Sequence, residues 1–295
     1  MNNFSFTKKK NIFFIFTAVC LLIGIVCFIV RGFNWDVDFA GGTEMTIKIG
    51  QTVDKNLQQE VEGIVKPILG NKFSSVISTG NSGDEILIRA NELSSEEREQ
   101  VFSAVAEKYN LEQDDLLQTD NVSGAISDNL RKSAIVATSI AVLLMLVYIA
   151  IRFELLSALA AVLCLVHDVF FVLVAYSILA IPVNSNVIAV ALTILGYSIN
   201  ATIIIFDRIR ENNKAMGRAV DFEEKVDKSV KQTVRRSLFT TITTLLTIGM
   251  VYILGVTSIQ QFALPLIVGI VVGLYSSVCL AGNLWCVFKK ASKKK

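Results

Sequence analysis

Little in this chain is equipped for chemistry at a metal or a nucleophile. It has one histidine, three prolines and five cysteines in 295 residues. One imidazole and no CxxC pair exclude a zinc or dithiol centre of the usual ligand spacing, so no metal site is expected. Cys20, Cys27, Cys164, Cys279 and Cys286 all lie inside apolar runs, where free thiols act as small buried hydrophobes rather than as a disulfide framework. No His-Glu-x-x-His, Gly-x-Ser-x-Gly or P-loop string occurs, which leaves an enzymatic reaction or a cofactor without a carrier. Charge is scarce as well: 18% of residues are charged, against 53% hydrophobic. Soluble domains average about a quarter charged, so this balance marks an integral membrane protein, with the lipid bilayer as its first partner. No nucleic-acid partner is expected.

The sparse charge is unevenly placed. Positions 32–132 hold 18 acidic and 9 basic side chains, and the remainder holds 19 basic and 8 acidic ones. Before the acidic stretch, residues 11–30 are uncharged and follow Lys8, Lys9 and Lys10. A run of that length, at 1.5 Å per residue, crosses about 30 Å of hydrocarbon. A cleavable signal peptide is the alternative. The long apolar core, followed by Arg31-Gly32-Phe33-Asn34-Trp35 instead of a small-x-small site, favours a retained helix. Five further apolar runs, 133–151, 155–181, 187–206, 237–256 and 262–288, bring the total to six. Residues 207–236, with nine basic and six acidic side chains, read as an amphipathic, solvated connection.

Threading six spans places Lys8–Lys10, Arg152, segment 207–236 and the basic tail 289–295 on one side, which the positive-inside rule makes cytoplasmic. Both termini are then cytoplasmic and the acidic stretch is extracytoplasmic. Within it, alternation predicts strands at 44–49, 74–78, 85–89 and near 116–122, with a hairpin-like turn at Gly80-Asn81-Ser82-Gly83. Helical spacing predicts helices over 56–69 and from Ser94, with Glu97 completing a capping box, to about Tyr109. The order β-α-β-β-α-β is that of a ferredoxin-like split unit. The expected organisation is a cytoplasmic start and first helix over 1–31, an α+β domain over 32–132, five helices over 133–288 and a basic tail over 289–295.

Polar groups at membrane depth carry the functional signal, because they must face other helices or a wet cavity. The fourth span holds Gly196, Tyr197, Ser198, Asn200 and Thr202 and ends in Asp207, Arg208, Arg210 and Glu211. Those charges are either a solvated helix end or an ion-pair latch onto neighbouring helices. His167 and Asp168 sit inside the third span. A charge at a helix centre costs about 3 kcal/mol on insertion, so the pair is either a packing hydrogen bond or a proton-relay and bundle-orienting element. Arg236 opens the fifth span, with Thr240, Thr243, Thr244 and Thr247 following at helical spacing. They form either a hydroxyl stripe beside a fixed charge or threonines bonding their own backbone. Gly269, Gly273, Ser277 and Ala281 recur every four residues, which lets helices approach closely.

Just after the first helix comes Asp36-Val37-Asp38-Phe39-Ala40-Gly41-Gly42-Thr43, on its own a generic turn. With Arg31-Gly32-Phe33-Asn34-Trp35 before it, and Arg152-Phe153-Glu154, His167-Asp168, Gly196-Tyr197-Ser198-Ile199-Asn200 and Asp207-Arg208-Ile209-Arg210-Glu211-Asn212 in order behind it, the chain resembles the SecF family of bacterial protein-export subunits. That resemblance implies a six-helix half bundle of the RND type, with an extracytoplasmic ferredoxin-like domain between helices 1 and 2. It implies SecD and the SecYEG channel as partners, YajC and SecA as indirect ones, and a translocating preprotein as cargo. It also implies use of the proton or sodium gradient, and makes Arg236 a residue of the gating core. One departure stands out. Position 201, where many members carry an intramembrane aspartate, is alanine, and Asn200 beside it does not titrate. The acid is then expected on SecD or at Asp168, or else the coupling ion differs. Two rival readings stay open, a half-unit exporter of small molecules or lipids and a membrane scaffold without ion coupling.

Overall fold

The computed structural model describes residues 5–80, 83–217, 219–255 and 257–293. Asn81 and Ser82 of the expected turn, Val256 at the end of the expected fifth span, and Lys294 and Lys295 of the tail lie outside the described residues. The chain opens with α1 (Lys10–Arg31), then a single turn α2 (Val37–Ala40) and strand β1 (Gly42–Lys48). There follow α3 (Lys55–Leu69), β2 (Phe73–Thr79), β3 (Glu85–Ala90), α4 (Ser95–Tyr109) and β4 (Leu116–Val122). The rest is helical: α5 (Gly124–Arg152), α6 (Leu155–Ile178), α7 (Asn186–Ala215), α8 (Phe222–Leu254), α9 (Thr257–Tyr275) and α10 (Gly282–Lys293). A π-helical stretch, Ser276–Ala281, joins α9 to α10 in one span. Six helices are long and apolar enough to cross a membrane.

The sheet is antiparallel in the order β2-β3-β1-β4, as the split β-α-β-β-α-β pattern requires. Alternation sets its faces. Met45 and Ile47 of β1 and Ile86 and Ile88 of β3 are buried. They pack against Leu57, Val61 and Val65 of α3 and Val101, Phe102 and Val105 of α4. Both helices are capped locally. Asp54 accepts from the Leu57 amide, and Ser94 and Glu97 form the expected capping box. The other face of the sheet carries Glu44, Thr46, Leu87, Arg89, Gln118 and Asp120, which meet the near end of the helix bundle.

Segment 207–236 departs from its expected form. It is not a loop: α7 runs on to Ala215 and α8 starts at Phe222. The reason lies in an apolar stripe within the charged stretch, since Ile209, Val226, Val230 and Val234 are buried. Asn212 donates to Ser229 Oγ at 2.7 Å and Gln232 Oε1 at 2.8 Å, and Asp221 caps α8, so the two extensions pair as a helical hairpin.

Gly42 sits at φ +133°, and a Cβ there would collide with the Ala90 carbonyl oxygen on the neighbouring strand. Gly63, exposed within α3, has open space around it. We expect Gly42→Ala to destabilise the domain by about 1–3 kcal/mol and Gly63→Ala to stabilise it by about 0.5–1 kcal/mol. Hydrogen exchange of the strand amides in the intact chain reads both.

Candidate functional site

A densely bonded polar centre lies inside the bundle. Asp168 is wholly buried on α6. One carboxylate oxygen accepts from Ser198 Oγ of α7 at 2.5 Å and from Ser276 Oγ of the π-helical stretch at 2.7 Å. The other oxygen meets His167 Nδ1 at 2.8 Å. Next to it, Thr202 Oγ1 and Ser277 Oγ are 2.9 Å apart, and Ser277 Oγ donates to the Ser198 carbonyl at 3.3 Å. This approach needs small residues. A Cβ on Gly273 would stand 3.2 Å from that of Ser198, and one on Gly269 would collide with Ile194. Asp168 therefore ties three helices together where hydrocarbon offers no competing donors. His167 packs on Phe171 with ring centroids 4.5 Å apart, and its buried Nε2 has no hydrogen-bond partner among the described residues.

Other sequence-predicted residues stay apart from this centre. Asn200, Arg236 and Thr240 are exposed. Thr240 Oγ1 donates to the Arg236 carbonyl at 2.9 Å, Thr243 and Thr244 to the Thr240 carbonyl, and Thr247 to the Thr243 carbonyl. The hydroxyl stripe thus spends its protons on its own helix. Tyr197 reaches α8 through Thr241 Oγ1 at 3.1 Å, while Gly196 has nothing within 4 Å of where a Cβ would stand. No ion pair engages Arg236 among the described residues.

The Asp36–Thr43 string forms the joint between domain and bundle. Asp36 caps α2, and Asp38 Oδ2 accepts from the Ser185 amide, at the entry to α7, at 2.8 Å. Phe39 is buried with Val172 and Tyr176 of α6. Gly41, at φ +76°, closes the turn, and Gly42 lies against β3. Thr43 Oγ1 donates to Asn121 Oδ1 and accepts from the Leu93 amide. Upstream, Trp35 bridges Val183 in parallel, and Ser177 Oγ donates to the Gly32 carbonyl. A polar cleft of about 200 Å³ opens between the helix-free face of the sheet and this rim. In it Glu44 pairs with Arg89 at 2.5 Å, and Arg89 also donates to Asn34 Oδ1 at 3.0 Å. Burial, then the neighbouring Asp36 carboxylate, pushes the Glu44 carboxyl up to about 7 against the opposing pull of Arg89.

At the far end of the bundle, Arg152 lies 3.4 Å from Asp207, and Arg208 bonds Gln232 of α8 at 2.7 Å and Glu211 at 2.6 Å. Among the described residues, Arg210 reaches the Arg152 carbonyl, at 3.5 Å. Sequence reasoning missed Ser276, which appeared only as a neighbour of the small-residue stripe. It also missed Asp227, whose Oδ1 accepts from the Phe6 amide at 2.6 Å and pins the N-terminal segment beneath α8. An acidic side chain in a mostly basic helical segment was the available signal.

Six membrane-length helices, a ferredoxin-like domain between the first two and a polar centre shared by three helices define an RND-like half bundle, a multi-pass inner-membrane protein. The family model for the protein export membrane protein SecD/SecF C-terminal region matches residues 101–291, and that for the SecD/SecF GG motif matches residues 28–53. The chain belongs to the SecD/SecF family. It is 38% identical to the protein translocase subunit SecF of Acidaminococcus fermentans over the full length of both chains. It is 35% identical to that of Sebaldella termitidis, over 97% of this chain and 92% of the relative. The crystal structure of SecDF, a translocon-associated membrane protein from Thermus thermophilus, superposes with a TM-score of 0.84 at 32% identity. That alignment covers 99% of this chain and 39% of the SecDF chain.

Two outcomes follow from this geometry. Asp168→Ala strands two serine hydroxyls and a histidine, so thermal unfolding of the purified chain should show a loss of about 3 kcal/mol or more, against about 1 kcal/mol for Ser276→Ala. A Glu44 carboxyl raised in the folded state holds its proton more tightly than in the unfolded chain. The part of domain stability that this proton supplies is full below about pH 4.5 and is lost as pH rises toward about 7, up to about 3 kcal/mol. Glu44→Gln should flatten that window in a pH series of thermal unfolding.

Proposed function

We propose that the chain is an accessory subunit of the Sec protein-export machinery, acting with a SecD half and promoting late translocation at the expense of the proton or sodium gradient. The observation that carries the reading is the exposed polar face of α7 and α8. Asn200, Arg236, Thr240, Thr243 and Thr247 sit uncovered along helices of membrane length. Lipid is a poor neighbour for such a face, and a second helical half is a good one. Relatives support this. In Bacillus subtilis the matching region, 32% identical, is 39% of a longer SecDF protein. The remaining length there can supply the second half.

In this reading the α+β domain is extracytoplasmic and both termini are cytoplasmic, as the basic ends and helix hairpin favour. Arg236 faces a carboxylate of SecD, because Ala201 offers none and Asp168 is already fully bonded within its own bundle. His167 and Asp168 orient the helices around that pathway. The joint at Asp36–Thr43 transmits helix movement to the domain, which grips the emerging preprotein. A SecDF structure in a super-membrane-facing form superposes less closely, with a TM-score of 0.72, which fits a domain that changes its position. SecYEG is the channel served, with YajC and SecA at one remove.

The test uses a strain lacking the native protein and complemented with Arg236→Ala. Export of a precursor that depends on this subunit should fall to the level of the empty strain, and collapsing the gradient at constant ATP should cause no further loss. Unimpaired gradient-dependent export would remove Arg236 from the mechanism, and export by the unaltered protein that survives collapse of the gradient at constant ATP would make a scaffold without ion coupling the better account.

A further inference from the structure

At the end of the bundle away from the domain, a cavity of about 300 Å³ opens where the α5–α6 connection meets α7 and α10. Ligand sites begin at about this size. Its walls include Arg152, Phe153 and Glu154 of the connection, Arg210 and Asn213 of α7, and Trp285 of α10. The chemistry of this lining is one-sided. Arg210 has no carboxylate partner among the described residues, and Arg152 has only the loose 3.4 Å contact with Asp207, both side chains being nearly half exposed. Asn213 commits its oxygen to Lys225 Nζ at 2.9 Å, which leaves the amide nitrogen as its contribution. Trp285 is 3% exposed, and its buried Nε1–H has no acceptor among the described residues. The one acidic wall, Glu154, is neutralised by Lys289 at 3.1 Å. Two arginines and the Asn213 amide outweigh the single, lysine-paired carboxylate of this lining.

Two guanidinium groups on the wall of one cavity match a tetrahedral oxyanion in bidentate fashion. The rim is apolar and uncovered. Ile151, on the cavity wall, is 82% exposed, and Leu155, the first residue of α6, is 63% exposed, both of them apolar. We propose that this cavity binds a phosphate-bearing anion, namely the head group of an anionic phospholipid in the leaflet opposite the domain. Arg152 and Arg210 hold the phosphate oxygens, Asn213 donates from the side, and the Trp285 ring forms part of the wall. The bound lipid links the α5–α6 connection, α7 and α10, which no direct ion pair between Arg210 and a neighbour does. The proposal is independent of ion coupling and of the partner half.

Full-length chain carrying Trp35→Phe keeps Trp285 as its only tryptophan. Titration with water-soluble dihexanoyl-phosphatidylglycerol, followed by Trp285 emission and by calorimetry, should give saturable binding. Arg210→Gln should weaken it about tenfold or more. Arg152→Gln should act likewise and serves if Arg210→Gln unfolds, whereas Arg235→Gln, on the exposed face of α8, should bind as the parent does. Inorganic phosphate should fail to compete at equal concentration. Competition at equal strength would keep the anion site but overturn its assignment to lipid. No saturable binding, or binding that neither arginine variant alters in a folded chain, would overturn the proposal altogether.

Discussion

A carboxyl group inside an apolar bundle must have every acceptor engaged, and the membrane half of this chain is arranged around that demand at Asp168. Ser198, Ser276 and His167 satisfy it from three separate stretches of sequence. Each of those donors then constrains its own surroundings. Ser198 belongs to the Gly196-Tyr197-Ser198 run, so the register of α7 is set by the bond. Ser276 opens the π-helical stretch, where an extra residue per turn turns a side chain toward the centre that an unbroken α-helix would aim elsewhere. Gly273 must be small for the last span to come near enough. The polar centre and the close packing are one arrangement, since loss of either leaves buried groups unpaired.

The joint with the domain works by a different rule. Its cleft is polar and partly wet, and it holds a carboxylate and guanidinium pair directly opposite each other on adjacent strands. Glu44 there faces Arg89, Asp36 and, on the other neighbouring strand, Asp120. This cleft is held by electrostatics, beside the apolar contact that Phe39 makes with Val172 and Tyr176. The apolar core formed with α3 and α4 lies on the opposite face of the sheet.

Much of this was legible in the residues. Uncharged runs of twenty or so residues and strict alternation in β1 and β3 report burial directly, which is why the six spans and the β-α-β-β-α-β order emerge from pattern alone. The capping box at Ser94 and Glu97 is a local bond and was readable for the same reason. Segment 207–236 was harder. Its charges dominate a window average, and only Val226, Val230 and Val234, one turn apart, betray the buried stripe. The site was half visible. Ser198 and Asp168 stood out as polar groups at membrane depth, but Asn200, Arg236 and Thr240 stood out equally. Whether such a group points inward or outward depends on helix rotation, and rotation is fixed by packing partners distant in sequence. Ser276 and Asp227 were missed because their roles exist only once helices meet.

The central claim is that the polar face of α7 and α8 is covered by a second membrane half. A photo-crosslinking residue placed at position 240 and activated in cells tests it most directly. The account predicts a crosslink to SecD from position 240, and none from the apolar, exposed position 140 on α5. Absence of any crosslink from position 240 to SecD, with the two proteins present together in the membrane, would contradict it.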